Sequence, residues 1–496
     1  MNAAGQPMEN IDDHRIFKRN DREPDPGGEY VLYWMQTSHR FQYNYALEYA
    51  VSRANELDKP LLIYEELRCD YPWASDRIHA FYLEGMAGHK DIAEQEEINW
   101  LPVVEEEGGE SRGILDGLFD KACCLISDEY PVYFIRDRNN MLAGELDIAF
   151  VTVDSNGLIP LGLTEKAPYN AYFFRKIMQR HFVECFTSPP KEHPLDELEK
   201  RSPLNWTRRQ KEIRQESLDR IANPTGFIAT LDIDHDVAPI GLEGTRRAAV
   251  GQLDRFARHS LKRYDDKRND PDANATSGLS PWLHFGKISE YEVVKEVLEH
   301  QPEQWDLNNI TFNGGSTGGF FNGDPNVDSF LDEVITWREV GFHFAHHEPE
   351  YDQYESLPGW ALETLEKHRD DPRDYIYELE ELAQSQTHDE LWNAAQTQLR
   401  EEGVMHNYLR MLWGKNVMQW TPNPEIALAY LIELNNRYAI DGRDPNSYSG
   451  IFWCFGRFDR AWQERPIFGK TRYMTSKSAR RKLKLDRFLE QYGHRD

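Results

Sequence analysis

The segment EYVLYWMQ (29–36) is followed by YNYALEYAVSRANEL (43–57) and then by KPLLIYEEL (59–67). The first and third segments are short apolar runs, which is typical of buried strands. The middle segment has the length and composition of a helix. A strand, a helix and a second strand in this order form the unit from which parallel sheets with helix-covered faces are built.

The same alternation continues downstream. Sequence typical of helices covers 75–96 and 133–143, and two further strands are predicted in KACCLISDEYP (121–131) and LDIAFVTVDS (146–155). We therefore expect a doubly wound, parallel-sheet, Rossmann-like α/β domain over residues 29–190. The sequence contains neither the G-x-G-x-x-G nor the G-x-x-x-x-G-K-[ST] pattern, so it names no nucleotide-binding residues at the strand ends.

The remaining organisation follows from composition. Residues 1–28 are polar and rich in Pro and Gly, which predicts a flexible tail. A proline- and charge-rich segment predicts an interdomain linker at 191–210. Strand signals nearly vanish from 211 to 496, where we expect a mostly helical second domain. Its predicted helices are 243–264, 286–300, 328–345, 360–368, 388–420, 424–438 and 475–492. The glycine-rich stretch at 308–326 is expected to be a flexible surface or lid segment.

Charge limits the classes of partner. The formal net charge of −28 over 496 residues argues against the whole surface binding nucleic acid. A local basic face is nevertheless predicted in GKTRYMTSKSARRKLKL (469–485), which contains no acidic residue. Such a run is either a solvated tail helix or a surface that contacts phosphates. Its bases are Lys470, Arg472, Lys477, Arg480, Arg481, Lys482 and Lys484.

The cysteines and the lengths of the apolar runs predict a reducing, cytoplasmic location. The five cysteines show no spacing typical of metal ligands or of a disulfide framework, which suits a reducing cytoplasm. No apolar run reaches the roughly 18 residues of a membrane span, and no signal-peptide core is present. We expect a soluble cytoplasmic protein with no bound metal and no membrane contact.

Four segments of the helical half combine residues that bind flat or phosphorylated ligands. In MHNYLRMLWGKNVMQW (405–420), Leu409, Trp413, Asn416 and Trp420 recur at helical spacing, which predicts a buried stripe. TSGLSP (276–281) can cradle a phosphate or simply cap a helix. In the third segment, SFLDEVITWREVGFHF (329–344), Glu333 and Trp337 stand at i and i+4. A carboxylate and an indole at this spacing suit a base-sized ligand. The fourth, DGRDPN (441–446), is dense in turn-forming residues.

The order of these segments resembles the photolyase/cryptochrome family. The resemblance rests on SGLSPWLHFG, FLDEVITWRE, MHNYLRMLW, DGRDPN and RPIFGKTRYM, all collinear, and on the N-terminal segments quoted above. It runs from about residue 29 to about residue 485 and is closest to the class II cyclobutane pyrimidine dimer photolyases. The family joins an α/β domain to a helical domain that holds FAD, which agrees with the organisation predicted here.

The resemblance implies a set of FAD-binding residues. Arg410 and Asp441 would pair beside the isoalloxazine and favour an anionic reduced flavin, and Asn435 would lie near flavin N5. The other implied FAD contacts are Tyr264, Ser277, Leu279, Ser280 and Arg338. A second, antenna chromophore, either a deazaflavin or a folate, is also possible by resemblance.

The resemblance also implies a substrate, which is UV-damaged DNA carrying a pyrimidine dimer. The dimer would be flipped out of the duplex and would lie against Glu333 and the ring of Trp337. The other implied DNA contacts are Asn407, Met411, Trp453, Lys470 and Arg472. Trp413, Trp392 and Trp420 match a chain of tryptophans that carries electrons to oxidised FAD, with Trp413 nearest the cofactor and Trp420 outermost. Excited reduced FAD would then repair the dimer by transferring an electron, and the protein is expected to act as a monomer.

Two departures from the family and three alternatives accompany this interpretation. Phe458 replaces the usual histidine before Asp459, which is expected to pair with a base such as Arg268, and the glycine-rich stretch resembles an insertion. A cryptochrome-like photoreceptor is one alternative, but the chain ends about ten residues after the basic run. A photolyase for (6-4) products needs active-site histidines, so Phe458 argues against it. The third alternative is an inert nucleic-acid-binding relative.

Overall fold

The computed structural model describes residues 11–493, and its N-terminal part is a helix-covered sheet. Six strands form this sheet in the order β1-β6-β5-β2-β3-β4. Strands β2 to β6 are mutually parallel, and β1 joins β6 in the antiparallel sense. The strands are β1 (Ile16–Lys18), β2 (Tyr30–Met35), β3 (Leu61–Leu67), β4 (Asn99–Val104), β5 (Ala122–Asp128) and β6 (Ala149–Val153).

Burial explains why these segments are strands. Every residue of β2, β3, β4 and β5 is buried, as expected for a parallel sheet with helices on both faces. Leu32 pairs with Leu62 on one side and with Leu125 on the other, and all three belong to one hydrophobic core. The predicted doubly wound α/β fold is confirmed, although β4 was not predicted from the sequence.

Helices connect the strands, and polar side chains cap the first two of them. Asn44 accepts a hydrogen bond from the backbone N–H of Leu47, and Ser75 accepts one from that of Ile78. The helices up to residue 298 are α1 (Tyr45–Glu56), α2 (Asp76–Gln95), α3 (Arg112–Phe119), α4 (Tyr133–Glu145), α5 (Ala171–Thr187), α6 (Arg208–Ala222), α7 (Pro224–Ile228), α8 (Arg246–Arg255), α9 (Tyr264–Lys267), α10 (Ser280–His284) and α11 (Glu290–Leu298).

The crevice at the carboxyl ends of β2 and β5 is filled by the protein itself. The chain runs from β2 outward to β3 and β4, and then returns to β5 beside β2, so this is the point at which the sheet order reverses. Asp128, at the end of β5, accepts hydrogen bonds from the backbone N–H groups of residues 36, 37 and 38 at 2.8, 2.8 and 3.0 Å. Its carboxylate therefore occupies the amides that an anionic ligand would use.

Part of the predicted flexible tail is structured. Within the predicted tail 1–28, Ile16–Lys18 form β1 and pair with Val151–Val153. The buried Arg15 donates to the carbonyl oxygens of Gly157 and Leu158 at 3.0 and 2.6 Å. These bonds fix a segment whose polar composition alone suggested flexibility, and residues 1–10 lie outside the described part of the chain.

The chain forms two compact units whose limits differ from the predicted domains. The α/β unit contains the described residues up to Leu163, together with His181–Leu253 and Leu279–Glu296. The helical unit contains Thr164–Arg180, Asp254–Gly278 and the described residues from Val297 onward. The predicted linker 191–210 is bound to the α/β unit, since Asn99 donates to the carbonyl oxygen of Ser202 at 3.1 Å. The next helix, α6, buries Ile213 in the core of the sheet.

The helical unit continues with ten helices over the remaining described residues. They are α12 (Pro325–Leu331), α13 (Arg338–His347), α14 (Gly359–Lys367), α15 (Leu379–Ala383), α16 (Glu390–Glu402), α17 (Asn407–Gln419), α18 (Pro424–Tyr438), α19 (Pro445–Cys454), α20 (Ser476–Lys482) and α21 (Asp486–Tyr492). The predicted helical region 388–420 is divided into α16 and α17 because Gly403 has a φ of +68° and ends α16. No helix in the described range 11–493 is both long and apolar enough to span a bilayer.

The glycine-rich segment 308–326 is anchored, which differs from the flexible segment that we expected. The carboxylate of Asp328 accepts hydrogen bonds from the backbone N–H groups of Gly319 and Phe321. The amide oxygen of Gln179 accepts from the N–H of Gly315 at 2.8 Å. The rings of Phe320 and Phe321 are buried, so polar and apolar contacts together hold this loop.

Candidate functional site

Three residues implied for flavin binding meet in the helical unit. The Nη2 atom of Arg410, on α17, lies 3.3 Å from Oδ1 of Asp441. Its Nη1 atom donates to Oδ1 of Asn435, on α18, at 3.4 Å. The Asp441 and Asn435 side chains are buried, whereas a quarter of the Arg410 side chain is exposed. The site thus combines a fixed cation with a neighbouring amide.

The turn after α18 holds Asp441 in place. Ser447 donates to the carbonyl oxygen of Asp441 at 2.9 Å and accepts from the amide of Asn435 at 3.2 Å. Asp444 caps α19 by accepting from the N–H of Asn446 at 2.8 Å. The turn-forming residues of DGRDPN therefore fix the geometry of the arginine–aspartate pair.

The other residues implied for FAD binding are distributed over both units. Tyr264 and Ser277 belong to the helical unit, whereas Leu279 and Ser280 belong to the α/β unit. Tyr264 is buried, its ring lies 5.9 Å from the guanidinium carbon of Arg268, and burial raises its pKa above the ordinary value. The buried Arg338 lies over the ring of Phe342 at 4.4 Å.

The chemistry of this donor set fits FAD. An arginine beside the ring system suits an anionic reduced flavin, and the buried amide of Asn435 suits a ring nitrogen. Both ring nitrogens of His406, just before α17, are buried, and Oδ1 of Asp270 is buried without a hydrogen-bond partner. Burial lowers the pKa of His406 to about 4, so its ring is neutral at pH 7.

Glu333 and Trp337 lie on a π-helical turn. Residues Asp332–Trp337 form this turn, in which the N–H of Arg338 bonds to the carbonyl oxygen of Glu333. The segment is thus helical as predicted, but with one residue more per hydrogen-bonded turn than an α-helix, and the shared face of Glu333 and Trp337 stays a prediction. The Glu333 carboxylate forms an ion pair with Arg268. Burial raises the pKa of Glu333, and the positive charge of Arg268 opposes that shift.

Asp459 was expected to pair with a base such as Arg268, but its partner is Arg472. It accepts from Nε of Arg472 at 2.8 Å, while Arg268 is committed to Glu333. Phe458 has a φ of +64° and packs edge-to-face on Phe344, with ring centroids 5.5 Å apart. The position that carries histidine in the family is therefore part of an apolar contact.

Two cations lie near the ring of Trp453. The guanidinium carbon of Arg472 is 5.1 Å from the Trp453 ring, and Nζ of Lys415 is 6.0 Å from it. Lys415 is fully buried and donates to the carbonyl oxygen of Cys454 and to Oγ1 of Thr471. Cys454 Sγ in turn contacts the carbonyl oxygen of Met411 at 3.9 Å, so Met411 and Trp453 lie on neighbouring parts of α17 and α19.

Two residues without a predicted role, Trp462 and Lys415, extend the group of rings and cations around Trp453. Trp462 is 37% exposed, and its ring lies 4.4 Å from the guanidinium carbon of Arg472 and 4.8 Å from that of Arg460. Lys415 was also missed. The sequence offers a tryptophan flanked by arginines in RAWQER (460–465), but only the structure shows that its ring is exposed.

The three tryptophans form a continuous row of contacting rings, stacked between Trp392 and Trp413 and edge-to-face between Trp392 and Trp420. Trp392, on α16, lies parallel to Trp413, with ring centroids 6.4 Å apart and planes 6° apart. The ring of Trp420 is 5.7 Å from that of Trp392. Nε1 of Trp392 donates to the carbonyl oxygen of Trp413 at 3.1 Å, and all three side chains are buried. The buried stripe that we expected on α17 is therefore also one side of a chain of aromatic rings.

The remaining residues implied for DNA binding lie at the surface. Asn407 and Lys470 are exposed, and Arg472 is partly exposed. Most bases of the predicted basic face are also exposed, although Arg480 pairs with Glu390 at 2.9 Å. The described residues, 11–493, contain no group of three His, Cys, Asp or Glu side chains placed to hold a metal ion.

Lys415 gives a prediction for the pH dependence of stability. Burial lowers its pKa from 10.5 to about 8, so the unfolded chain binds more protons than the folded one between these values. We expect the unfolding free energy of the wild type, relative to that of Lys415→Met, to rise by up to about 3 kcal/mol from pH 7 to pH 10.5. Urea unfolding at several pH values measures this difference. Lys484→Met, at an exposed position, should show no such trend, and an equal trend in both variants would contradict the prediction.

Comparisons with known proteins identify relatives of the whole chain. No protein-family profile matches the chain. It is 35% identical over 479 residues to the deoxyribodipyrimidine photo-lyase of Methanothermobacter thermautotrophicus, covering 96% of this chain and 97% of that protein. It is 32% identical over 480 residues to the deoxyribodipyrimidine photo-lyase of Oryza sativa subsp. japonica, covering 94% and 87%.

A solved structure is also similar. The class III photolyase of Agrobacterium tumefaciens superposes with a TM-score of 0.61 at 17% identity, over 87% of this chain and 80% of that one. At this identity the likeness shows the fold, whereas the near full-length identity of 35% shows the family. The chain belongs to the deoxyribodipyrimidine photolyase family.

Proposed function

We propose that the protein repairs cyclobutane pyrimidine dimers in DNA in a light-dependent reaction with bound FAD. Near full-length similarity to proteins named deoxyribodipyrimidine photo-lyase supports this proposal. The single structural observation that carries it is that Arg410, which contacts Asp441 and Asn435, lies on the same helix as Trp413 and one turn before it, and that Trp413 begins a row of three contacting tryptophans. Reduced FAD, when bound, supplies the light-excited electron that splits the cyclobutane ring and is then returned.

The residues around this site have distinct tasks. Arg410 holds a positive charge, and Asp441 fixes its guanidinium so that no rearrangement is needed when the cofactor changes charge. Asn435 offers an amide to the ring system. The tryptophans Trp413, Trp392 and Trp420 carry electrons inward during photoreduction, which prepares the cofactor but is separate from repair.

The lesion would bind against Glu333, Trp337, Met411 and Trp453. Glu333 accepts a hydrogen bond from a pyrimidine edge, and Arg268 fixes its carboxylate. Lys415 and Arg472 orient the Trp453 ring, on which a flipped-out base can stack. Asn407, Lys470 and the exposed bases of 469–485 contact the DNA backbone, and this local basic face offsets the acidic surface elsewhere.

A second chromophore, either a deazaflavin or a folate, is proposed for the α/β unit. This unit contains a cavity of about 670 Å³, which lies in the size range of small-molecule sites. Its lining includes the rings of Tyr43, Tyr45 and Tyr291 and the cations Arg15 and Lys295. We also propose a monomer that acts in the cytoplasm. The absorption spectrum of the purified protein tests for both chromophores.

The direct test is repair of a defined lesion. Purified protein with chemically reduced FAD is mixed with an oligonucleotide duplex that carries one thymine dimer, and it is illuminated with blue light or kept in the dark. We expect the dimer to be lost only in the light, as measured by chromatography of the digested DNA. A (6-4) photoproduct in the same sequence serves as the control and should persist. An intact thymine dimer after illumination of fully loaded protein would refute the proposal.

A further inference from the structure

A group of exposed aromatic rings lies outside the residues assigned so far. It is formed by the start of α5 and by the anchored glycine-rich loop 308–326. We define the aromatic patch as Tyr169, Tyr172, Phe173 and Phe312, together with Lys176 and Arg180. The four rings are exposed by 55%, 45%, 50% and 47% in that order. Clustered exposure of large rings on a soluble domain is typical of an interaction surface.

The members of the patch contact one another. The ring of Phe173 lies 6.3 Å from that of Tyr169 and 5.6 Å from that of Tyr172. Nζ of Lys176 is 4.2 Å from the Tyr172 ring, and the guanidinium carbon of Arg180 is 5.0 Å from the Phe312 ring. Each group of rings therefore has a cation on it, and no carboxylate belongs to the patch.

Rigid elements present the patch. The opposite face of α5 is buried through Phe174 and Met178. The loop is held against α5 at Gly315, which has a φ of +85°. A Cβ atom there would lie 2.8 Å from Cγ of Lys176 and 3.3 Å from the ring of Tyr172, so only glycine allows this close approach. The exposure of the rings is thus a consequence of fixed backbone packing.

The patch borders the proposed lesion site at two points within the helical unit. Asn170, next to Tyr169 in sequence, forms a parallel β-bridge with Phe458. The residue after Phe458 is Asp459, which accepts a hydrogen bond from Arg472. Arg175, on the same helix, pairs with Asp332 at 2.6 Å, and Asp332 precedes Glu333. These two contacts tie the segment that carries the patch to the chain segments that hold Asp459 and Glu333.

We propose that the aromatic patch binds unpaired bases of a DNA strand beside the lesion, while Lys176 and Arg180 contact its phosphates. The proposal rests on the proposed function. Exposed rings with interleaved cations are the combination that binds single strands without sequence preference. Paired bases hide their faces, so these rings gain little from intact duplex. The positive charge complements a polyanion on a chain whose overall charge is −28. The glycine-rich loop thereby acquires a role, because it supplies Phe312 and supports Tyr172.

The test measures binding of the FAD-loaded protein to undamaged oligothymidine by fluorescence anisotropy. We expect the double variant Tyr172→Ala/Phe173→Ala to bind at least about tenfold more weakly than the wild type, since each stacked base contributes about 5- to 150-fold. Lys176→Gln/Arg180→Gln should lower the slope of log affinity against log salt by about 0.7 for each lost phosphate contact. Met141→Ala, at a residue of the α/β unit that is 55% exposed, is the matched control and should bind as the wild type does.

Several results would overturn the proposal. Unchanged oligothymidine affinity in both double variants excludes the patch as a DNA surface. Loss of self-association, measured by analytical ultracentrifugation, with unchanged DNA affinity would instead make the patch a contact between copies. Because the charge variants keep all four rings, they report on DNA binding even where the alanine variant fails to fold.

The outcome is separable from that of the proposed function. Light-dependent loss of a thymine dimer under saturating protein should proceed at the wild-type rate in both double variants, because the patch lies beside the reacting group. A wild type without repair activity would refute the function. A repair-competent wild type whose patch variants bind single strands normally would refute only this inference.

Discussion

Trp392→Phe is expected to lower the rate of photoreduction of oxidised FAD by at least about a hundredfold, which corresponds to about 2.7 kcal/mol in the barrier. The reason is geometric, since the ring of Trp392 contacts both Trp413 and Trp420. A phenyl ring fills most of the space but is much harder to oxidise than indole. The oxidised, FAD-loaded protein is illuminated in the presence of an external thiol for increasing times. The absorption spectrum of the bound FAD after each interval gives the rate of photoreduction.

Repair should survive the same substitution. When FAD is reduced chemically before illumination, the Trp392→Phe variant should remove thymine dimers at close to the wild-type rate, because the stack serves only to prepare the cofactor. Trp282→Phe is the matched control, since Trp282 is also buried and donates its indole N–H to a backbone carbonyl oxygen. Photoreduction that persists in Trp392→Phe would show that electrons reach the site by another path.

Arg410→Leu is expected to weaken the binding of reduced FAD by about ten- to a hundredfold. The variant removes the fixed cation and leaves the buried carboxylate of Asp441 unpaired, and a hydrogen bond to a charged group is worth about 1.5–3 kcal/mol. Oxidised FAD, which lacks the extra negative charge, should lose less affinity. Equilibrium titration of the apoprotein with each form of the cofactor, under anaerobic conditions for the reduced one, measures both constants.

Two further variants separate charge from shape at this position. Arg410→Lys keeps the cation but cannot contact Asp441 and Asn435 simultaneously in the same way, so we expect an intermediate loss. Arg410→Leu/Asp441→Leu removes the unpaired carboxylate and should recover part of the affinity for oxidised FAD. Equal weakening of oxidised and reduced FAD by Arg410→Leu would show that the arginine acts through packing rather than through charge.

Local sequence patterns predicted the α/β fold because its strands are continuous apolar runs. β2, β3, β5 and β6 were identified from their aromatic and aliphatic residues. β4 was missed because its sequence NWLPVV contains a proline, which argues against a central strand, and β4 is in fact an edge strand. β1 was missed because three residues carry no periodicity, and its position depends on distant bonds such as those from Arg15 to Gly157 and Leu158.

The site was predicted through resemblance, and the structure adds the contacts that no pattern contains. Spacing along one helix indicated a stripe with Trp413 and Trp420, but the intermediate ring, Trp392, comes from another helix. The partner of Arg268 was predicted incorrectly because two carboxylates, Asp459 and Glu333, compete for two arginines. Only tertiary packing decides which pairs form. Lys415, whose ammonium group lies 6.0 Å from the Trp453 ring, was missed because buried lysines are rare and leave no sequence signal.

The π-helical turn at Asp332–Trp337 has a consequence for how this chain can vary. Removing one residue from the turn would restore a regular helix and rotate everything before it by about 100° relative to everything after it. Glu333 and the side chains of α13 would then point in different directions from those they have now. Insertions and deletions in this segment should therefore be far rarer among functional variants than substitutions, so chain length there is as much a determinant of the binding surface as residue identity.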